Sequence, residues 1–276
     1  MQPTEEQIKH ALAALIIKRT ALKRHGAEIE TLALGNSHGE YAFDSDKIDA
    51  SFNLCSPSQD IKYSALLLDK VLPLCPNLRN IVLFYSVFSP GWSLDRSPSQ
   101  KYWGVALDEV FELGVSFEDE EQQSLSGLVK GLTLDLKQDF GKCGYPPALQ
   151  SFFPAEYGVE RRVGEHLKYN LSEEQIPYLH HIFALARHAG KNLYVVTPPA
   201  RSDYRKEAGG SFGFLFRSLQ DAVKRVAPFF KVTMVNMYGF PLFSDELFGD
   251  YDHLHPDGLG PSLVAKILKT TFTQNK

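Results

Sequence analysis

Thr31-Leu-Ala-Leu-Gly-Asn-Ser-His-Gly39 is the stretch of sequence that decides the fold. The run from Ile29 to Leu34 has the short hydrophobic character of a buried strand, and Gly35 ends it. A Gly-Asn-Ser turn follows at once, so the strand would present the hydroxyl of Ser37 at its carboxyl end. The stretch therefore predicts the first buried strand of a sheet, with a chemically useful side chain just beyond it.

Strand and helix patterns alternate on both sides of this stretch. Further strands are predicted at 50–55, 80–88, 191–197 and 232–238, and helices from Thr4 to about Leu22 and over 58–74, 172–190, 212–226 and 261–272. Strands that alternate with helices favour a parallel sheet covered on both faces. The sequence thus predicts an α/β fold, a three-layer sandwich with a central, mainly parallel sheet.

Residues 92–170 interrupt this alternation. The segment is rich in aromatic residues and broken by Gly and Pro, with helices predicted at 107–114 and 125–140 and a turn at 143–147. We interpret it as a mainly helical insertion or lid within a single domain that covers 1–276.

Composition narrows the class of protein. The chain has 276 residues, 43% hydrophobic, with a formal net charge of −4. It has no long Lys/Arg block, so nucleic-acid binding is not expected. No apolar run is long enough to span a membrane, and the N-terminus lacks a signal-peptide pattern. Three cysteines without metal spacing or an even pairing fit a reducing compartment, so we expect a cytoplasmic protein. Oligomeric state is not predicted.

Asp250-Tyr-Asp-His-Leu-His-Pro-Asp-Gly258 is the second informative segment. A serine nucleophile needs an imidazole to take its proton, and the imidazole needs a carboxylate to fix its tautomer. Ligands of open parallel sheets bind beyond the carboxyl ends of the strands, where Ser37 and this segment would both lie. Two overlapping pairs fit the spacing Asp-x-x-His, namely Asp250/His253 and Asp252/His255.

The Gly35-Asn-Ser37 turn and the late Asp-x-x-His segment resemble the SGNH/GDSL hydrolase superfamily. The Ser-His pair and the later Asn53-Leu-Cys-Ser-Pro-Ser-Gln-Asp60 also resemble a subgroup of bacterial surface-polysaccharide proteins. The His-Pro step and Gly260 favour Asp252/His255 as the catalytic pair, whereas the subgroup's Asp-x-Asp-His-Leu pattern favours Asp250/His253. The family's Gly-x-Asn-Asp block is missing.

The resemblance also implies an oxyanion hole, which needs donors aimed at the developing negative charge. Backbone N–H groups near Ser37 and Ser56 are candidates, and His38 is either a substrate contact or a surface turn residue. Three further polar residues are candidates for oxyanion or substrate binding: Asn53, Gln59 and Ser86. The Asp/His spacing is not a specific metal signature, so neither a metal nor another cofactor is predicted.

The resemblance implies serine-dependent acyl transfer or ester hydrolysis on a bacterial surface-polysaccharide sugar or its precursor. The partners would be a glycan and an acyl donor or ester. Two other classes stay open: a transferase of a non-acyl group onto a glycan, and a non-catalytic glycan-binding or assembly protein on a degenerate hydrolase fold.

Overall fold

The computed structural model describes residues 3–117, 120–131, 144, 158–209 and 216–274. Strands and helices alternate along the chain as the sequence predicts. The strands are β1 Thr31–Leu34, β2 Ser51–Asn53, β3 Asn80–Phe84, β4 Asn192–Thr197 and β5 Val232–Asn236. The described α-helices are α1 Glu5–His25, α2 Ser37–Ala42, α3 Ile61–Val71, α4 Lys101–Phe111, α5 Glu120–Gly131, α6 Val159–Asn170, α7 Ile176–His188, α8 Ser202–Ala208, α9 Arg217–Val226 and α10 Leu259–Gln274.

The five strands form one parallel sheet in the order β2-β1-β3-β4-β5. The chain leaves β1 toward one edge to form β2, then returns past β1 to form β3 on its other side. The connections after β1 and β3 therefore diverge and leave a crevice between them, where α/β proteins of this kind bind ligands.

Side chains of successive strand residues point to opposite faces of the sheet, and each face has its own hydrophobic core. Leu32 and Ile81 belong to a core shared with α1, α3 and α7. Ala33 and Val82 belong to a second core, shared with α2 and α10. Helices cover both faces, so the prediction of a three-layer α/β sandwich with a parallel sheet is confirmed.

Element boundaries follow local hydrogen bonding. Thr4 and Gln7 form the capping box that the sequence predicts for α1. The predicted helix over 58–74 begins only at Ile61, because the Asp60 side chain caps it. The predicted strand over 80–88 ends at Phe84. No described helix combines the length and apolar character needed to cross a bilayer.

Helices α4 and α5 of the predicted insertion pack into the core that contains α1. Trp103 and Leu107 of α4 are buried in the same core as α1, because the apolar face of α4 packs on that helix. Helix α6, which the sequence did not predict, packs against α8. The end of the predicted 125–140 helix, and the 143–147 turn apart from Gly144, lie outside the described residues.

Candidate active site

The turn from β1 into α2 places Ser37 at the crevice between β1 and β3. Gly35 has φ 134°, and a Cβ there would lie 2.8 Å from the Phe84 carbonyl oxygen, so the close approach requires glycine. Asn36 caps α2, since its side-chain oxygen accepts the His38 backbone N–H at 3.1 Å. Ser37 is therefore the first residue of α2, with its half-buried side chain at the carboxyl end of the sheet.

The loop between β5 and α10 carries the aspartates and histidines. A single antiparallel bridge pairs Phe248 with Leu254 and closes the loop. Inside it, Asp250 Oδ1 accepts the backbone N–H groups of Asp252 at 2.9 Å and His253 at 2.8 Å. The carboxylate thus fixes the loop conformation as well as the histidine beside it.

Ser37, His253 and Asp250 form one chain of hydrogen bonds. Ser37 Oγ lies 2.8 Å from His253 Nε2, although the two residues are 216 positions apart. On the other side of the ring, Nδ1 lies 2.9 Å from Asp250 Oδ2. A carboxylate only accepts, so Nδ1 carries the proton and Nε2 is left to accept the serine hydroxyl proton. This arrangement is able to activate a serine hydroxyl for nucleophilic attack.

The charges around His253 favour its protonated form. Burial alone would lower its pKa, but the Asp250 and Asp252 carboxylates outweigh burial and raise the pKa of His253 above its usual 6.5. In turn, burial would raise the pKa of Asp250, but His253 outweighs it and holds that pKa below the usual value. The imidazole is therefore a stronger base than free histidine.

The structure does not bring the pair Asp252/His255, which the His-Pro step and Gly260 favoured, together beside Ser37. His255 is exposed, and its backbone N–H donates to the Leu247 carbonyl at 2.9 Å. Asp252 turns the other way, toward α2 and α6. The backbone hydrogen bonds to Asp250 decide the register, because they point His253, and not its neighbour two residues on, at Ser37.

His38 is neither a surface turn residue nor a residue of the cleft wall. It is buried behind His253, and the two rings stack at 4.3 Å with an angle of 13° between their planes. Its Nδ1 lies 2.9 Å from Ser86 Oγ, and its Nε2 lies 3.1 Å from Asp252 Oδ2. Burial, with the nearby His253, lowers the pKa of His38 to about 4, so the ring is neutral at pH 7.

Asp252 is the centre of a second polar network that reaches α6. Arg162 Nε donates to its Oδ1 at 3.2 Å, and His166 Nδ1 lies 3.6 Å from its Oδ2. His166 in turn contacts the Tyr204 hydroxyl at 2.7 Å. Burial opposes ionisation, but Arg162, His253 and His38 together hold the pKa of Asp252 well below its usual range. The buried carboxylate is therefore ionised and paired.

One group of side chains has the atom types of a metal site. Ligand atoms of His38, Asp252 and His253 lie within 4.8 Å of one another. Each of the three already has protein partners, and the Arg162 guanidinium donates hydrogen bonds to both oxygens of the Asp252 carboxylate. A cation there would have to displace that guanidinium, so the donor set favours the polar network.

The remaining predicted oxyanion and substrate residues are mostly engaged with the protein itself. The Ser56 backbone N–H donates to the Gly35 carbonyl at 3.1 Å. The Asn53 side-chain amide donates to three α2-region carbonyls, and the Gln59 amide lies between the hydroxyls of Ser56 and Ser64. These side chains brace the turn that carries Ser37, and they are buried away from the cleft. Ser86 is the buried partner of His38.

The backbone N–H of Ser37 is a different case. It lies at the start of α2, where helical N–H groups have no partner within the helix. No acceptor for it exists among the described residues. This N–H is therefore the one predicted oxyanion donor that the structure leaves available.

A buried ion pair links α2 to α1. Lys18 of α1 and Glu40 of α2 are both buried, with Nζ 3.4 Å from Oε1, and Lys18 also donates to the Cys55 carbonyl. Burial raises the pKa of Glu40 despite the lysine. In the described part of the chain nothing hydrogen-bonds Glu40 Oε2. The pair ties the helix that carries Ser37 to α1.

Ser37 and His253 open onto a cleft with a volume of about 710 Å³. Its other walls include aromatic, polar and charged side chains: Phe88, Trp92, Tyr169, Ser58, Ser97, Ser99, Gln100, Arg161, Arg162 and Glu165. The charged wall belongs to α6, whose part in the site the sequence did not reveal. The only available signal was the spacing of Arg162 and His166, four residues apart on one helical face.

Comparisons with known proteins do not assign a family. No protein-family model matches the chain, and no curated protein sequence matches it either. The resemblance to SGNH/GDSL hydrolases therefore depends on the two short motifs and on the site geometry described above.

Proposed function

We propose that this protein is a serine-dependent acylesterase or acyltransferase of SGNH type, with Ser37 as nucleophile, His253 as general base and Asp250 as its orienting carboxylate. One observation carries the proposal. The hydrogen bonds of 2.8 Å from Ser37 Oγ to His253 Nε2 and 2.9 Å from Nδ1 to Asp250 join three residue types in the order that serine catalysis requires.

In the first step, Ser37 Oγ attacks the acyl carbon of the substrate, and the hydroxyl proton moves to His253 Nε2. The tetrahedral intermediate collapses, the bond to the leaving alkoxide breaks, and His253 returns the proton to that oxygen. This leaves an acyl-serine ester. A second oxygen nucleophile, water or a sugar hydroxyl, then repeats the sequence in reverse. Water gives hydrolysis, and a sugar hydroxyl gives transfer; neither route consumes a cofactor.

Oxyanion stabilisation would begin with the Ser37 N–H at the start of α2. Ser56, the counterpart of the family's second donor, uses its backbone N–H to brace Gly35. The site thus departs from the usual hydrolase pattern. We expect slow turnover of simple esters, because each oxyanion donor contributes on the order of 10²–10³ in rate.

The substrate class follows from the resemblance to surface-polysaccharide proteins and from the cleft. A space of about 710 Å³ is far larger than a short acyl group needs. Trp92 and Tyr169 offer aromatic surface, while Ser58 and Gln100 offer hydrogen-bonding groups. Sugars combine apolar ring faces with hydroxyl edges, so we propose an acylated glycan or its precursor as substrate. A cytoplasmic location fits the free thiols of Cys55 and Cys75 and is part of this proposal.

Labelling by a fluorophosphonate, read by intact mass spectrometry, tests the activated serine without knowledge of the substrate. We expect a single adduct, located on Ser37 by peptide mapping and missing in Ser37→Ala. That variant should keep its thermal stability within about 1 kcal/mol, since the hydroxyl contributes little packing. Turnover of a chromogenic acetyl ester by the wild type should fall about a thousandfold or more in Ser37→Ala.

Ser99→Ala is a suitable control, because Ser99 is an exposed residue of the same cleft that belongs neither to the proposed triad nor to the substrate contacts named above. Its labelling should match that of the wild type. A folded wild-type protein that neither forms an adduct nor turns over the ester would refute serine catalysis. It would favour the two alternatives, non-acyl transfer or glycan binding without catalysis.

A further inference from the structure

We infer that His38 and Asp252 are positioning residues for His253, joined in a buried hydrogen-bond relay that runs behind the catalytic imidazole. The inference rests on the proposed function, because it assigns the relay to the same histidine. It adds a second histidine and a second carboxylate to the site, neither of which touches the substrate.

The hydrogens of the relay can be assigned from chemistry. Asn36 Nδ2 donates to Ser86 Oγ at 3.0 Å. Asp252 is an ionised carboxylate and only accepts, so His38 Nε2 must carry the proton across the 3.1 Å contact. Nδ1 of His38 is then an acceptor, and the Ser86 hydroxyl donates to it at 2.9 Å. Both ring nitrogens are thereby satisfied, so the orientation of the ring is fixed.

This fixed ring forms one wall against which His253 rests. The two imidazoles stack at 4.3 Å and are nearly parallel. On another side, the Tyr41 ring meets His253 edge-on, with 5.7 Å between centroids. His253 therefore has little freedom to rotate away from Ser37. Because Ser86 and His38 are both buried, the Ser86-His38-Asp252 series is inaccessible to a substrate, although its residue types match a catalytic triad.

Asp252 also acts through charge. Its Oδ1 lies 3.6 Å from His253 Nδ1, so the imidazolium that forms during catalysis faces two carboxylates. Arg162 pairs with Asp252 and partly offsets its charge. The titratable and charged groups that face His253 are Asp250 and Asp252 from its own loop, His38, Glu40 and Tyr41 from α2, and Arg162 and His166 from α6.

Three variants, at two positions, separate the geometric role from the electrostatic one. Asp252→Asn keeps the shape and removes the charge, so His253 should lose its proton at lower pH than in the wild type. His38→Gln retains an N–H donor near the position of His38 Nε2, whereas His38→Ala removes the ring that stacks against His253. Since His38 is neutral, neither substitution should move the titration of His253 as Asp252→Asn does.

The titration of His253 is measured by NMR on histidine-labelled protein, with the signal assigned from its loss in His253→Gln. The rate of Ser37 labelling by the fluorophosphonate is measured in parallel across pH. For Asp252→Asn, we expect the ratio of labelling rates at about pH 5.5 and about pH 8 to rise about threefold or more. For His38→Ala we expect a loss on the order of 10² in rate, as for a misplaced catalytic group, and for His38→Gln a loss below about tenfold.

Asp60→Asn is the matched control. Asp60 is another buried aspartate; its Oδ1 caps α3, which asparagine also does, and its Oδ2 accepts the Leu94 N–H, a hydrogen bond that asparagine loses far from Ser37 and His253. This variant should leave both the labelling rate and the His253 titration unchanged. If Asp252→Asn does not fold, the double variant Asp252→Asn/Arg162→Gln removes both charges of the pair. Its shift should be smaller and in the same direction, because Asp252 outweighs Arg162 at His253.

The inference is overturned if folded Asp252→Asn, or its double variant, titrates at His253 as the wild type does. It is also overturned if His38→Ala labels at the wild-type rate. A wild-type protein that never labels contradicts the proposed function alone, since the NMR titration still decides whether Asp252 acts on His253.

Discussion

Replacing Asp250 by Asn should abolish activation of Ser37 while leaving the loop intact. Asp250 Oδ1 accepts two backbone N–H groups, at 2.9 and 2.8 Å, and Oδ2 accepts the His253 Nδ1 proton at 2.9 Å. In the variant, the amide oxygen must stay at the Oδ1 position, because the alternative points an NH₂ group at two N–H donors. The NH₂ group therefore faces Nδ1.

This orientation reverses the histidine tautomer. Nδ1 would become an acceptor, and the Nε2 proton would face Ser37, where it blocks proton removal. The wrong tautomer costs serine enzymes about 10⁴ in rate, which is roughly 5.5 kcal/mol of transition-state stabilisation at 1.36 kcal/mol per factor of ten. The loss should exceed by far that from Asp252→Asn, whose carboxylate does not fix the His253 tautomer.

The assay is the second-order rate of Ser37 labelling, followed by mass spectrometry at pH 8, together with thermal unfolding to show that the fold persists. Asp257→Asn provides the matched control, since Asp257 is an exposed aspartate of the same loop. A folded Asp250→Asn protein that labels within tenfold of the wild type would refute the assigned roles.

Three further predictions concern register, pH and stability. His253→Ala should lower the labelling rate as much as Ser37→Ala does, because the two residues act as one unit. His255 is exposed, so His255→Ala should lower the rate by less than about tenfold. The reverse ranking would favour Asp252/His255 as the catalytic pair. The pKa of His253 is raised, so the labelling rate should reach half of its maximum above pH 6.5, and a midpoint at or below pH 6.5 would contradict this. The same shift means that the contribution of His253 to the free energy of unfolding should be fully present below pH 6.5 and lost as the pH rises through the folded-state pKa. Lys18→Met leaves the Glu40 carboxylate buried without its cation, so the free energy of unfolding in denaturant titrations should fall by about 3–5 kcal/mol. The double variant Lys18→Met/Glu40→Leu should recover most of this loss. Equal losses in the single and the double variant would argue against a stabilising ion pair.

The sequence was sufficient for the fold and for the two ends of the site, because those depend on local patterns. Buried strands read as short apolar runs, and the Gly35 turn and the Asp-x-x-His spacing are visible without coordinates. The register was not predictable in the same way. It depends on which carboxylate receives the backbone N–H groups of the loop, and two overlapping pairs satisfied the same spacing.

The role of α6 lay beyond sequence reasoning for a related reason. Helix α6 is largely polar, and nothing in its pattern shows that the face with Arg162 and His166 turns inward. The structure shows that this face meets Asp252, a residue 90 positions away from Arg162. His38 was misjudged similarly: a histidine after a turn suggests solvent, but the stack with His253 and the contact with Asp252 bury it.

The separation of 216 positions between Ser37 and His253 has a consequence during synthesis of the chain on the ribosome. At roughly 5–20 residues per second, a ribosome needs about 11–43 seconds to make the intervening chain. Throughout that interval the nascent chain already contains the serine, but nothing yet withdraws its proton. Under the proposed mechanism, an acyl donor that meets the unfinished polypeptide would therefore meet an inert hydroxyl, and acyl transfer would be confined to molecules whose synthesis has passed the loop that carries His253.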